Sequence, residues 1–134
     1  MWPQYSDSGD AVPYDRLVPL VEKFYDATTF QLGESPNGGT TDLISQLIGS
    51  GVCLIGSSPG LGGTSIANLS QGSASYARLI TQAQRAALLV REAGGTFAVP
   101  AVTWLQGEAD QGVTSRSGYV TALATLAAQL AADI

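Results

Sequence analysis

Two short stretches of the 134-residue chain hold residues whose types and spacing could do chemistry. The first is Gln106-Gly107-Glu108-Ala109-Asp110, which places an amide and two carboxylates directly after an apolar run. An amide held rigidly at the end of a strand can donate a hydrogen bond to the oxyanion that develops when an ester carbonyl is attacked. Glu108 or Asp110 could then orient a histidine supplied from elsewhere. A plainer reading, a solvated acidic loop with Gln106 capping a strand, fits the same spacing equally well.

The second stretch is the glycine-rich Gly56-Ser57-Ser58-Pro59-Gly60-Leu61-Gly62-Gly63-Thr64-Ser65-Ile66. Its first five residues match a G-x-S-x-G nucleophile elbow, which uses the backbone N–H after the serine as an oxyanion donor. Pro59 stands there and has no N–H, so Ser58 is rejected as an elbow nucleophile. A phosphate-binding P-loop needs a Gly-Lys pair before Ser or Thr, and the loop has no lysine. A dinucleotide fingerprint would need a third glycine where Ser65 stands. What survives is a loop whose backbone can approach a ligand closely, with the N–H groups of Gly62 and Gly63 free to point into a site. The loop alone fits a tight strand-to-helix turn better than a binding site.

The rest of the composition narrows the chemistry. The chain contains no histidine. Histidine is the usual base for activating a serine and the commonest metal ligand. A self-contained Ser-His-Asp enzyme and a histidine-based metal site are therefore both excluded for this chain, and no metal or cofactor is expected. Net charge is −5, Lys23 is the only lysine, and no stretch concentrates arginine, which argues against a nucleic-acid partner. No apolar run approaches the ~18 residues of a membrane helix, and no secretory signal is visible at the start, so no membrane partner is expected. Cys53, the only cysteine, sits in an apolar run and is expected to be a small buried hydrophobe.

The elements that must position these residues read as helix, strand, helix, strand, helix. Residues 1–39 are rich in turn formers and are expected to form an irregular surface loop with a short helical piece near 17–25; residues 40–134 are expected to hold a βα core. Leu43, Ile44, Leu47 and Ile48 repeat at helical spacing behind the capping residues Thr41 and Asp42. Val52 to Ile55 reads as a buried strand, and Ala101 to Gln106 as a second. Between them, Ser73 to Ala93 is a helix with Tyr76, Leu79, Ile80, Ala83, Ala87 and Val90 on its apolar stripe and Arg78, Gln82, Arg85 and Glu92 mostly off it. Gly94-Gly95 stops it. Ser117 to Ala132 is the last helix, with Tyr119, Val120, Leu123, Ala127 and Leu130 on one side. Trp104 is expected as core packing. Such alternation implies right-handed crossovers and a parallel sheet covered on both faces, with the two chemical loops side by side at the strands' carboxyl ends. Hydrophobic residues make up 45% of the chain and charged ones only 13%, consistent with an internal slice of a larger domain.

Thr103-Trp104-Leu105-Gln106-Gly107-Glu108-Ala109-Asp110 resembles the W-x-Q-G-E-x-D signature of the sialate O-acetylesterase-like domain, shared with the acetylxylan esterases of carbohydrate esterase family 6 in the SGNH-hydrolase superfamily. Gly60 to Ile66 resembles that family's G-G-T-S-I block, and Glu34-Ser35-Pro36 with Gly39 looks like an element preceding its first helix. The resemblance runs from about Leu17 onward. It implies a flavodoxin-like three-layer α/β/α sandwich with a parallel sheet, here incomplete at both ends, as one partial esterase domain over 1–134. It also implies hydrolysis of O-acetyl groups on an acetylated carbohydrate substrate. The family's nucleophilic serine lies in a G-Q-S-N segment and its histidine in a D-x-x-H segment; this sequence contains neither. Carried over position by position, Gly63 matches the backbone oxyanion donor, Gln106 the side-chain donor, and Glu108 the supporter of the histidine, while Asp110 closes the motif. Gly62, Thr64, Ser65 and Gly107 flank them as expected substrate contacts. Ser65 does not occupy the position of the attacking serine. The chain by itself is expected to be inactive, with an edge of its sheet unpaired and poor autonomous folding. The alternative is a non-catalytic carbohydrate-binding or virion-surface module of the same fold.

Overall fold

The computed structural model describes the backbone of residues 4–7, 17–19, 23–25 and 30–32, and in full residues 40, 43–44, 46–48, 51–57 and 59–134. The capping residues Thr41 and Asp42, the rejected Ser58, and the Glu34-Ser35-Pro36 element with Gly39 lie outside the described residues.

Among the described residues five short strands precede the two long helices: β1 (Gln4–Asp7), β2 (Leu17–Pro19), β3 (Lys23–Tyr25), β4 (Phe30–Leu32) and β5 (Leu54–Gly56). β1 lies at the centre of a three-stranded sheet in the order β2-β1-β5, antiparallel to β2 and parallel to β5; in the parallel register Gln4 faces Leu54 and Ser6 faces Gly56. β3 and β4 form a separate antiparallel pair. The irregular loop expected over 1–39, with helix near 17–25, is thus corrected: that stretch carries four strands. The prolines and glycines that suggest a loop lie mostly outside these short strands in the sequence. The β1–β5 ladder gives β5 one parallel neighbour, and β5 stands at the edge of that sheet.

β5 begins two residues later than the apolar run suggests. Val52 and Cys53 precede the paired segment and are exposed, so Cys53 is not the buried residue expected from its neighbours. Helical backbone occurs at 40, 43–44 and 46–47, and the Ile48 N–H donates to the Ile44 carbonyl at 3.0 Å, as the spacing of Leu43, Ile44, Leu47 and Ile48 predicts.

Helices α1 (Ala74–Glu92) and α2 (Arg116–Asp133) fall where the periodicity places them. Each opens on a serine cap: Ser73 Oγ accepts from the Tyr76 N–H at 3.1 Å, and Ser115 Oγ from the Gly118 N–H at 3.1 Å. Such a cap satisfies one of the four N–H groups a helix start leaves without a partner. α1 ends at the glycine pair, where Gly94 N–H donates to Arg91 O and Gly95 N–H to Val90 O.

The faces differ from the expected stripes in two places. Gln82, placed off the apolar stripe of α1, is 3% exposed because its Oε1 accepts from Ser57 Oγ at 2.6 Å, tying the chain just after β5 to the helix. Arg78 Nη1 reaches the Pro59 carbonyl from the same side. On α2 the buried residue is Leu126, while Val120 and Ala127 are exposed. Apolar side chains surround α2 on all sides, so its spacing does not single out one face.

The strand expected at Ala101–Gln106 is not formed. Residues 101–107 are irregular, and Leu105 is 85% exposed. A strand needs a neighbour to complete its ladder, and no described strand flanks this segment; it lies instead along α2. The described elements therefore combine a parallel strand pair with long helices, in keeping with an α/β chain, and do not draw a three-layer sandwich.

Candidate active site

A 3-10 turn (Ile66–Leu69) lies against both α1 and α2, and a second 3-10 turn (Glu108–Asp110) follows the irregular segment. Ile66, 2% exposed, anchors the first turn in the core. Burying such a side chain contributes about 1.5–3 kcal/mol. The turn is entered through Gly62-Gly63-Thr64-Ser65, so the core contact of Ile66 fixes the glycine loop from its C-terminal end.

The two chemical loops are joined by side-chain bonds across more than forty positions of sequence. Gln106 Nε2 donates to the Thr64 carbonyl at 2.9 Å, and the Ile66 N–H donates to Asp110 Oδ2 at 2.8 Å. Gln106 Nε2 also donates to Asp110 Oδ2 at 2.7 Å, and Thr114 Oγ1 donates to Asp110 Oδ1 at 2.9 Å. Asp110 is 4% exposed and receives three hydrogen bonds, so its carboxylate is the hub of the site. Its pKa is lowered from the ordinary 3.8, first by the Gln106 amide and then by the Ile66 N–H and the Thr114 hydroxyl, with burial opposing them. A carboxylate with this many donors stays ionised and acceptor-only.

On the other side of the amide, Tyr119 Oη donates toward Gln106 Oε1 at 2.9 Å and toward the Gln106 carbonyl at 2.7 Å, while Trp104 Nε1 donates to Tyr119 Oη at 3.0 Å. The orientation of the amide follows from the partners. Asp110 and Thr64 offer only acceptors, so the nitrogen must face them, and the oxygen must face the hydroxyl.

Gly62 and Gly63 are exposed, and their N–H groups have no partner among the described residues. Gly63 has φ +67, a conformation that disfavours any side chain even though nothing stands within 4 Å of where a Cβ would be. Thr64 contributes its carbonyl to Gln106, and its hydroxyl turns back to Gly62 O at 3.3 Å. Ser65 takes the N-cap position of the 3-10 turn without a side-chain cap bond. Gly107, at φ +155, takes the N-cap position of the second 3-10 turn. Glu108 is exposed, and its side chain has no partner among the described residues. The loops thus lie side by side as expected, but both hydrogens of the Gln106 amide are engaged within the protein.

Three contributions to the site are hidden in the sequence. Tyr119 reads as part of an apolar stripe, and helical spacing conceals its hydroxyl. Thr114 carries no motif, although its spacing of four from Asp110 permits a bond. Asp110 acts as the hub, whereas its place at the end of the motif suggests a peripheral carboxylate. Trp104 is half-buried and polar-anchored through its indole N–H. Among the described residues no cluster of His, Cys, Asp and Glu could hold a metal ion, and no described helix is long and apolar enough to cross a membrane.

No curated protein and no solved structure matches the chain. A family model does, over residues 45–134, starting later than the Leu17 expected from the motifs but covering both loops and everything that clamps them. The chain belongs to the carbohydrate esterase, sialic acid-specific acetylesterase family.

Proposed function

We propose that these loops form the oxyanion side of a carbohydrate O-acetylesterase site, whose reaction is hydrolysis of acetyl esters on a sugar of the sialate or xylan type. The observation that carries the reading is the clamp itself: Gln106 and Asp110 hold the Gly62–Ile66 loop in place while leaving the Gly63 N–H unpartnered among the described residues beside it. When a nucleophile attacks the acetyl carbonyl, the oxygen gains negative charge. Preorganised N–H donors stabilise that charge without reorganising, and removing one such donor costs about 10²–10³ in rate. The Gly63 N–H is available for this. Gln106 joins it by exchanging its bond to the Thr64 carbonyl for the developing oxyanion, remaining steered by Asp110. Glu108, exposed and with no described partner, is free to orient a histidine base. The histidine is supplied from outside these loops, since the chain has none, and so is the serine, since neither loop carries a G-Q-S-N segment. Gly62, Thr64, Ser65 and Gly107 line the approach of the sugar.

A second reading, a carbohydrate-binding or virion-surface module that has lost the chemistry, draws on the absence of histidine and on the engaged Gln106 amide. The test is a calorimetric titration of the chain with an O-acetylated sialoside and its deacetylated counterpart, with acetate release followed in parallel. The esterase reading expects binding that depends on the acetyl group and is weakened by Gln106→Ala, with acetate release no greater than the roughly 10³–10⁴-fold over water left to a site without its triad. Equal binding of both sugars, unaffected by Gln106→Ala, would favour the binding module.

A further inference from the structure

We propose that Tyr119 is a positioning residue that sets the orientation of the Gln106 amide, with Trp104 holding its hydroxyl in register; the proposal rests on the reading of Gln106 as an oxyanion donor. The chain of donors runs one way. The indole N–H of Trp104 has only a hydrogen to give, and it gives it to Tyr119 Oη at 3.0 Å. The hydroxyl's single hydrogen is thereby directed to the two oxygens of Gln106, its carbonyl at 2.7 Å and Oε1 at 2.9 Å. With Oε1 satisfied by the hydroxyl, Nε2 is committed to the side of Thr64 and Asp110. Without the hydroxyl, Oε1 would lose its one donor among the described residues, and a side-chain amide at the end of an irregular segment would lose one of its three restraints. The bond from Tyr119 to the Gln106 main chain also fixes the residue at the point where Gly107 turns the backbone. Tyr119 does not touch the reacting atoms; it acts through Gln106.

The experiment is side-chain amide hydrogen exchange by NMR on the whole chain, unaltered and as Tyr119→Phe, which keeps the ring and removes the hydroxyl. In the unaltered chain the Gln106 side-chain amide should exchange at least about tenfold more slowly than those of the exposed Gln84 and Gln111. In Tyr119→Phe it should speed up by about tenfold, while the Ile66 backbone N–H, held by Asp110, changes by less than about twofold. An unchanged Gln106 amide would overturn the proposal. So would a parallel rise at Gln106 and Ile66, since general loosening moves both. If Tyr119→Phe does not fold, Trp104→Phe serves instead: it removes the N–H that holds the hydroxyl, and the same selective response at Gln106 is expected, with no response overturning the proposal. A chain showing the selective response but no acetyl-dependent sugar binding would overturn the oxyanion reading and leave the positioning role standing.

Discussion

At its N-terminal end α2 presents Tyr119 to Gln106 and Trp104, where indole, hydroxyl and amide each meet a partner of the right kind. Further along the same helix, Leu123, Leu126 and Leu130 line an open groove of about 370 Å³ with Val99, Pro100 and Val102, and the facing segment has no strand partner among the described residues. The first region is held by directional bonds between residues 13 and 15 positions apart. The second is held by apolar contact and leaves Val102 and Leu105 exposed. Directional hydrogen bonds specify one arrangement, whereas apolar contact tolerates several. The proposed acetyl-ester site falls where the structure is most specified.

That contrast can be broken at Asp110 first. Asp110→Ala strands the Ile66 N–H, the Thr114 hydroxyl and one hydrogen of the Gln106 amide, and donors left without partners cost more than the bonds contributed. It should lower the melting temperature more than a substitution at any other residue of the clamp, as read by circular dichroism. Ile66→Ala should follow, costing about 2–5 kcal/mol in a denaturant titration, the usual range for emptying a buried Ile site.

The pH dependence sharpens the same contrast. Because the Asp110 pKa is lowered in the folded chain, its contribution is present above the ordinary 3.8 and is lost as pH falls from there through the folded value. Asp110→Asn should flatten that acid limb. Tyr76 behaves in the opposite sense. Burial, and then its bond to Asp133 at 2.7 Å, push its pKa up to about 12, so its contribution is intact below pH 10 and lost between about 10 and 12. Tyr76→Phe should remove this alkaline limb. Smallest of all, Leu105→Ser on the apolar flank should change stability by no more than about 0.5 kcal/mol, since the side chain is 85% exposed. A cost several times larger would mean that Leu105 is covered and its segment held as firmly as the clamp.

The two helices and the pairing of the two loops were legible in the sequence because they rest on local signals: serine caps, a glycine stop, helical spacing, and motif blocks that must converge. The strands of 1–39 were not, since three- and four-residue strands between prolines carry too short an alternation to register. Residues 101–106 misled for the opposite reason. Their apolar, β-branched character describes a strand, but pairing is a property of a neighbour and not of the segment. Likewise the motif singles out Gln106, while the engagement of both its hydrogens depends on Asp110 and Thr64 and could not be read from its own position. Tyr119 shows the same limit, because periodicity reports the face of a ring and says nothing of its hydroxyl.

The most direct test of the central claim is a proton–nitrogen NMR titration of the chain with an O-acetylated sialoside, following the backbone N–H groups of Gly62 and Gly63 and the side-chain amide of Gln106. The expected result is saturable shifts at these three positions that vanish with the deacetylated sugar. Shifts confined to the apolar groove between residues 99–104 and α2, or none at the glycine loop, would contradict the assignment of the clamped loops as the acetyl-ester site.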